Sequence, residues 1–430
     1  MKNIFYLDLN DTYTSHILLQ VLQKYQNSLQ VIQNPPSFDY ESNYNSIDPQ
    51  STAFYWLEYE SLPFENLFKD SKNFQNTKAQ NTAGISCAYC IRKGLIRKAQ
   101  MSLSINMFAA KNPNSIVNTG VPKTWILELD SPEYLDESLE DCYELKQLLE
   151  NVENPKRFIL KPSLTGKGTG IHIFDSYDSL LQILETEFEE GSDDSESEEE
   201  AEVDWSKGYG SAISQIREWV VQEYIDNPLL LSAYGNRKFH IRTYVLAIGG
   251  IKVFVFREML ALFASKKYDS NFDNLKDVYS HITNTYVQSK DSDFDEDQVV
   301  HLFWDLSNNN KQTELGTSVS TEDLEHIYTQ IKSLTADVFH ASVSQPTMFQ
   351  VWENCFELFG LDFMVDDKLN VFFLEANAYP DFKQTGDRLN SLVFNFFDSV
   401  VNTLTNHFIE KNDNDVNGLD LVFQKKCFSQ

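Results

Sequence analysis

Asp362, Glu375 and Asn377 are three oxygen-bearing side chains whose spacing about a turn brings them together. The runs GLDFMV and VFFLEAN are rich in Val, Phe and Leu, and DDKLN between them has turn chemistry, which predicts a β-hairpin over residues 359–377. A turn centred between Lys368 and Leu369 sets Asp362 opposite Glu375, with Cβ atoms roughly 5 Å apart. Asn377 follows on the same face, two residues on. Two carboxylates that close repel, and one pKa rises unless a cation lies between them. With an amide oxygen beside them they suit a hard cation such as Mg²⁺, which takes oxygen ligands and commonly arrives with a nucleotide's phosphates. A solvent-facing acidic strand pair would leave the same sequence, so the rest of the chain has to decide.

Two further segments carry chemistry. In RFILKPSLTGKGTGIHIF, apolar runs flank a loop with Gly166, Gly168 and Gly170 and the cations Lys161 and Lys167. Glycines let backbone N–H groups approach phosphate oxygens, and lysines neutralise their charge. Lys167 is followed by Gly168 rather than Ser or Thr, and IHIF has strand rather than helix composition, so neither a Walker A loop nor a dinucleotide fingerprint fits. Strand, glycine loop, strand remains, a flap over a nucleotide. In RKFHIRTYVL, Lys238, His240 and Arg242 alternate and so share one face of a strand. Three potential cations on an otherwise apolar strand are costly unless they meet anions, which points to phosphate or carboxylate recognition. Between these segments WVVQEYIDNPLLL reads as a buried strand ending in a polar hinge, able to offer hydrogen bonds to an adenine edge.

These pieces need a large scaffold, and 430 residues with 42% hydrophobic and 13% aromatic content can bury two or three packed lobes. Strand and helix signals are mixed along the chain, giving an α/β (α+β) class. Residues 1–34 read as strand then helix, AFYWLEY as a second strand, 137–150 as a helix, 211–218 as a short helix, and GNRKFHIRTYVLAIGGIKVFVFREMLALF as two strands joined at Gly249 and Gly250. Helices are also expected over 321–341 and in the C-terminal segment from Asn390 on. Arg92, Lys93, Arg97 and Lys98 fall at helical spacing and predict a basic helix face suited to an acidic partner. The net charge of -29 disfavours a general nucleic-acid surface. Part of it lies in residues 185–204, twelve carboxylates with no basic residue, which predicts a disordered acidic insertion over about 185–207. Five scattered cysteines suit a reducing compartment, and Cys87 and Cys90 read as helix-face burial rather than a metal pair. No signal peptide or membrane span is evident, so a cytoplasmic location is expected.

The ordered set KPSLTGKGTGI, VVQEYI, RKFHIRTYVL, HITNT and FELFGLDFMVDDKLNVFFLEANAYP resembles the tubulin tyrosine ligase family of ATP-grasp enzymes, most of all its fungal members. YCIRKGLIRKAQMSLSI is similar too, so the likeness runs over roughly residues 85–400. It implies three lobes with ATP between two mostly antiparallel sheets, here expected as 1–75, 76–215 and 216–430. It implies that Lys161 contacts phosphates and adenine, that Lys167 and Gly168 form the phosphate flap, and that Gln222, Glu223, Tyr224 and Ile225 are the hinge. Lys238 would touch phosphates beside His240, with Thr283 and Asn284 near the ribose. Asp362, Glu375 and Asn377 would hold Mg²⁺, and Arg242 would orient a carboxylate substrate; Arg242, Lys161 and Glu375 make up the catalytic set. The implied reaction is ATP-driven amide formation through an acylphosphate, joining an amino acid, tyrosine first, to a protein C-terminus such as the α-tubulin tail. The sequence departs from the family at His240, where Asp is commoner, at Lys167, where Arg is commoner, and at Leu262, near which an Arg generally helps bind the amino acid. These departures sustain a second expectation, a nucleotide-binding protein-interaction module.

Overall fold

The computed structural model describes residues 3–33, 51–76, 84–151, 153–164, 168–190, 218–271, 277–291, 294–307, 317–383, 389–412 and 418–425. Strands β1 (Asn3–Asp8), β2 (Leu29–Gln33), β3 (Ala53–Leu57) and β4 (Gly84–Ser86) form a parallel sheet in the order β2-β1-β3-β4. Every residue of β3 is buried, as a strand covered on both faces requires. The helix Thr12–Gln23 connects β1 to β2; Asp11 caps it by accepting from the Tyr13 backbone N–H at 3.0 Å.

A second, antiparallel sheet contains β5 (Thr124–Glu128), β6 (Phe158–Pro162), β7 (His172–Phe174) and β8 (Glu218–Glu223) in the order β5-β8-β6-β7. The pairing of β6 with β7 is the expected glycine-loop hairpin. Its strand β8 follows the acidic run, so the central sheet takes in residues that a boundary at 216 gives to the C-terminal lobe; strand partners this far apart leave no local signal. The expected helix over 137–150 is two helices, Leu135–Asp141 and Tyr143–Leu149, broken at Cys142. The helix Tyr177–Glu190 carries the chain into the acidic run, which is therefore helical through residue 190. Leu180 and Leu184 are buried on it, and Glu187 pairs with His172 at 2.6 Å. The rest of that run, and all but Glu218 of the helix expected over 211–218, lie outside the described residues; Glu218 opens β8.

The third sheet is built around β9 (Phe239–Ile248). On one side β9 pairs with β10 (Lys252–Phe256) and β11 (Leu260–Phe263), so the stretch expected as two strands makes three. Beyond β11 lies β12 (Val300–Leu302). On its other side β9 pairs along its length with β13 (Phe356–Val365), which pairs with β14 (Val371–Ala378). β15 (Leu419–Gln424), which the sequence did not announce, adds to β10. The helix Thr321–Val343, closed at its start by a Ser320/Asp323 capping box, packs against β14, β15 and β10.

One hydrophobic core joins the first and third sheets, and a separate one underlies the central sheet. The stitch between first and third is specific: Ser86 N–H donates to the Asn354 carbonyl at 2.9 Å, and the Asn354 amide donates to the Leu67 and Gly84 carbonyls at 3.0 and 2.9 Å. Below it Arg92 meets the buried carboxylate of Glu357 at 2.5 Å and lies 4.0 Å from the Tyr59 ring centroid. The expected basic helix face is thus not one face. Arg97 is extended (φ -103, ψ 122) between the helices Lys93–Ile96 and Lys98–Lys111, and Arg92 is turned inward. Cys87 and Cys90 also fall outside any helix, and Cys87 is buried, donating to the Leu57 carbonyl at 3.3 Å. Removing one partner of a buried ion pair leaves a charge without compensation. Arg92→Ala is therefore expected to lower unfolding free energy by about 3–5 kcal/mol in denaturant melts, and Arg92→Met with Glu357→Leu to recover most of it. A loss below about 1 kcal/mol would count against the stitch.

Candidate functional site

The central and third sheets face each other across a cleft enclosing about 690 Å³, part of it open to solvent. Lys161, at the end of β6, enters from the central sheet and donates to the Gln222 side-chain oxygen at 2.8 Å. The Gln222 amide donates in turn to the Thr124 hydroxyl at 3.0 Å, which fixes its orientation. Lys238, just before β9, enters from the opposite side; it donates to the Tyr224 hydroxyl at 2.7 Å and sits 3.9 Å from that ring's centroid. Lys161 is 7% exposed and Lys238 3%, yet each ammonium rests on a neutral acceptor. Burial pulls Lys161 down to about 8 despite Glu375, and Lys238 to about 7 despite Asp226. Buried cations without close anions fit a ligand that brings its own negative charge, as a polyphosphate does.

The hairpin forms the cleft's far wall, and its register reaches the expected pairing by a different route. The turn is held by Asp366, whose carboxylate accepts from the backbone N–H groups of Lys368 and Asn370 at 2.9 and 2.7 Å. Near the turn Val365 pairs with Val371, a register centred on Lys368; a bulge between Asp362 and Phe363 then shifts it so that Asp362 faces Glu375. Asp362 is gripped by Arg242, with Nε at 2.5 Å from one oxygen and Nη2 at 3.0 Å from the other. β9 and β13 enforce this, because Arg242 and Asp362 are register partners. The Glu375 carboxylate lies 3.7 Å from the Lys98 ammonium and 3.5 Å from the Asn377 amide nitrogen. Burial alone would raise the Glu375 carboxyl, but the cations of Lys98, Lys161 and Arg242 outweigh it and hold it low. The oxygens of Asp362, Glu375 and Asn377 fit a hard divalent cation. Among the described residues no cluster of three His, Cys, Asp or Glu is spaced for a metal, so such a cation would draw its remaining ligands from elsewhere, for example from phosphates. At Asp362 it would compete with the Arg242 guanidinium.

The cleft gathers Lys161, Gln222, Glu223, Tyr224, Ile225, Lys238, His240, Thr283, Asn284, Asp362 and Glu375 in one lining. Arg242, Asn377 and Gly168 are not part of it. Gly168 has φ +74, and a Cβ there would come within 2.8 Å of Val287, so Gly168 lies tight against the Thr285–Gln288 helix. Lys167 lies outside the described residues. The His240 Nδ1 meets the Thr283 hydroxyl at 2.6 Å, and its Nε2 is buried 3.7 Å from Asp362. Asn284 caps the Thr285–Gln288 helix, accepting from Tyr286 N–H at 3.0 Å.

Sequence reasoning missed Lys98, His281 and the apolar contributors Ile159, Ile171, Met364 and Leu374. Lys98 was hidden by its assignment to a basic helix face; the extended Arg97 turns it toward Glu375. His281 could have been suspected from its place in HITNT. Its Nδ1 lies 3.0 Å from the Tyr224 hydroxyl, which Lys238 also reaches at 2.7 Å, and a phenol proton directed at Nδ1 would put the ring's own proton on Nε2. Burial, with Lys238 and Arg157 nearby, lowers His281 to about 4, leaving the ring neutral near pH 7. That Nε2 is buried without a protein partner and His281 lines the cleft, so in that tautomer it is a donor available to a ligand. Bound phosphates raise the pKa of both lysines, so nucleotide binding is expected to take up protons between about pH 7 and 9. Affinity should fall by up to about tenfold per pH unit per group as pH rises through that window. Calorimetry in buffers of different ionisation enthalpy measures the uptake, and none at pH 8 would contradict the assignment.

A family model described as "Tubulin-tyrosine ligase family" matches residues 74–415. A Schizosaccharomyces pombe protein named "Probable tubulin--tyrosine ligase" is 39% identical over 365 residues, covering 83% of this chain and 83% of that one. A Saccharomyces cerevisiae protein, "Probable tubulin--tyrosine ligase PBY1", is 36% identical over 409 residues, 92% of this chain and 51% of that protein, so the chain spans about half its length. The crystal structure of the C-terminal domain of K. lactis Pby1, described as an ATP-grasp enzyme interacting with the mRNA decapping enzyme Dcp2, aligns over 99% of this chain and 100% of that one, with a TM-score of 0.67 and 29% identity. The chain has the ATP-grasp fold and belongs to the tubulin-tyrosine ligase family.

Proposed function

We propose that this protein is an ATP- and Mg²⁺-dependent ligase that joins an amino acid, tyrosine first, to the C-terminal carboxylate of a protein such as α-tubulin. The observation that carries the reading is the pair of buried ammoniums, Lys161 and Lys238, facing the Asp362 and Glu375 carboxylates across one cleft. ATP would supply the phosphoryl group, its charge offset by Mg²⁺, to the acceptor carboxylate with ADP as leaving group, and the amino acid's amine would then displace inorganic phosphate from the acylphosphate to form the amide. The chain's own part is binding and orientation. Lys161 and Lys238 neutralise phosphate charge, the backbone at 223–225 reads the base edge, and His281 Nε2–H donates to the bound nucleotide. Asp362, Glu375 and Asn377 would hold the cation. Arg242 is the guanidinium for a substrate carboxylate, and it serves that role when its fork leaves Asp362. Leu262, buried opposite His240 in the β11–β9 pairing, adds no charge for the incoming amino acid. Among the described residues no helix is long and apolar enough to cross a membrane, and a cytoplasmic setting belongs to this proposal.

A second reading has its own support: the K. lactis neighbour is described as interacting with Dcp2, and the sequence departs from the family pattern at His240 and at Leu262, where leucine supplies no charge for an amino acid. In that reading the cleft binds nucleotide and the chain recruits a partner of that kind. Incubation with ATP, Mg²⁺, each amino acid and a panel of C-terminal peptides separates the two. The ligase reading expects ADP release that needs both an amino acid and a peptide, a matching mass increase, and a loss of at least about a hundredfold in Glu375→Gln. Release indifferent to both substrates would favour the interaction module.

A further inference from the structure

The wall that β9 contributes to the cleft holds an imidazole that is only half satisfied. His240 is 4% exposed and lines the cleft together with Asp362 and Glu375. Its Nδ1 meets the Thr283 hydroxyl at 2.6 Å, whereas its Nε2 is buried with no hydrogen-bond partner among the described residues. A polar nitrogen taken out of water and left unpaired is costly, and an apolar side chain of similar shape would avoid the cost. The nitrogen is explained if something that enters the cleft meets it.

Its surroundings narrow what that is. Nε2 stands 3.7 Å from Asp362 Oδ1, too far for a hydrogen bond. Two ligands each about 2.1 Å from one small divalent ion are about 3.0 Å apart at a right angle and about 4.2 Å apart across the ion. The observed 3.7 Å falls inside that span. The sheet fixes the spacing, because Arg242, two residues along the same face of β9, is the register partner of Asp362. Thr283 can accept the Nδ1 proton, and in that tautomer Nε2 presents a lone pair; a hydrogen bond on one ring nitrogen commonly orients the other toward a metal in this way. The Asp362 oxygens held by Arg242 become available in the same step that frees the guanidinium for a substrate carboxylate. Among the described residues no three of His, Cys, Asp and Glu are spaced for a metal, so His240 and Asp362 form a pair that a nucleotide's oxygens would complete.

We infer that His240 Nε2 is a nitrogen ligand to the nucleotide-bound divalent ion, beside Asp362, and gives this cleft a preference for Mn²⁺ over Mg²⁺ that an all-oxygen set would lack. The inference rests on the reading of the cleft as a metal–nucleotide site. An imidazole adds affinity for first-row transition ions far more than for Mg²⁺, and Mn²⁺ shares the preference of Mg²⁺ for carboxylate and phosphate oxygen. Electron spin-echo envelope modulation on the full chain loaded with Mn²⁺ and ADP reads the ligand directly. Nitrogen modulation from a bonded imidazole is expected, replaced by the ¹⁵N pattern when the protein is made with ¹⁵N-histidine, which separates it from the nitrogens of adenine. His240→Asp, which sets an oxygen donor in the imidazole's place, should lose the histidine coupling while still binding Mn²⁺ with ADP. Calorimetry should then show the ratio of Mn²⁺ to Mg²⁺ affinity falling by at least about tenfold. His281→Gln, which alters the other histidine of the cleft, should keep the coupling, and with the isotope experiment on the parent protein it decides the matter if His240→Asp does not fold. Absence of histidine coupling in the parent, coupling that survives His240→Asp or disappears in His281→Gln, or an unchanged affinity ratio would overturn the assignment. Mn²⁺ and ADP bound without histidine coupling would leave the metal–nucleotide reading standing and remove this one; a parent protein that binds neither would remove both. Histidine coupling in a protein that ligates no amino acid would remove only the ligase.

Discussion

The structure depends on a burial that the described residues do not compensate: two lysine ammoniums, Lys161 and Lys238, enclosed between facing sheets with, among the described residues, only an amide oxygen and a phenol oxygen as acceptors. Taking a charge out of water is among the most unfavourable steps in folding, and a nearby opposite charge is its usual remedy. Here the near carboxylates are committed elsewhere. Asp226 pairs with Arg157 at 2.6 Å, and Asp362 with Arg242. The cleft therefore holds unspent positive potential at its centre, with hard-oxygen side chains on the wall opposite. A nucleotide polyphosphate with a divalent cation meets both halves of that arrangement.

β9 makes the arrangement rigid. It is paired on both sides, with β11 and β10 along one edge and β13 along the other, so the alternation of Lys238, His240 and Arg242 is fixed relative to the hairpin. One residue of slippage would turn the cations to the opposite face. The stitch of β4 to the Asn354–Glu357 segment then ties the parallel N-terminal sheet to this frame, while the central sheet keeps its own core. Two bodies with separate cores and a polar slot between them are what an enzyme needs if a ligand is to be closed between sheets.

Much of this was legible because local chemistry and global placement agree. The turn residues around Lys368 and the alternating strands were enough to pair Asp362 with Glu375, although a bulge, not a simple hairpin, achieves it. The glycine loop between β6 and β7 and the hinge after β8 could be read because glycine content and apolar runs are local signals. What escaped was non-local. The membership of β8 in the central sheet, the addition of β15 to β10 and the inward turn of Arg92 are decided by partners more than thirty residues away. Lys98 and His281 were missed for a related reason: an extended residue at Arg97 and a hydrogen bond with Tyr224 have no pattern in the sequence.

The central claim is that Lys161 and Lys238 are kept buried for an anion and at the expense of the free protein's stability. Thermal unfolding of Lys161→Met and Lys238→Met, each with and without ATP and Mg²⁺, tests it directly. The account predicts that each variant melts higher than the parent protein when no nucleotide is present and loses the stabilisation that ATP confers. Variants that melt lower in the free state and still gain full stabilisation from ATP would contradict it.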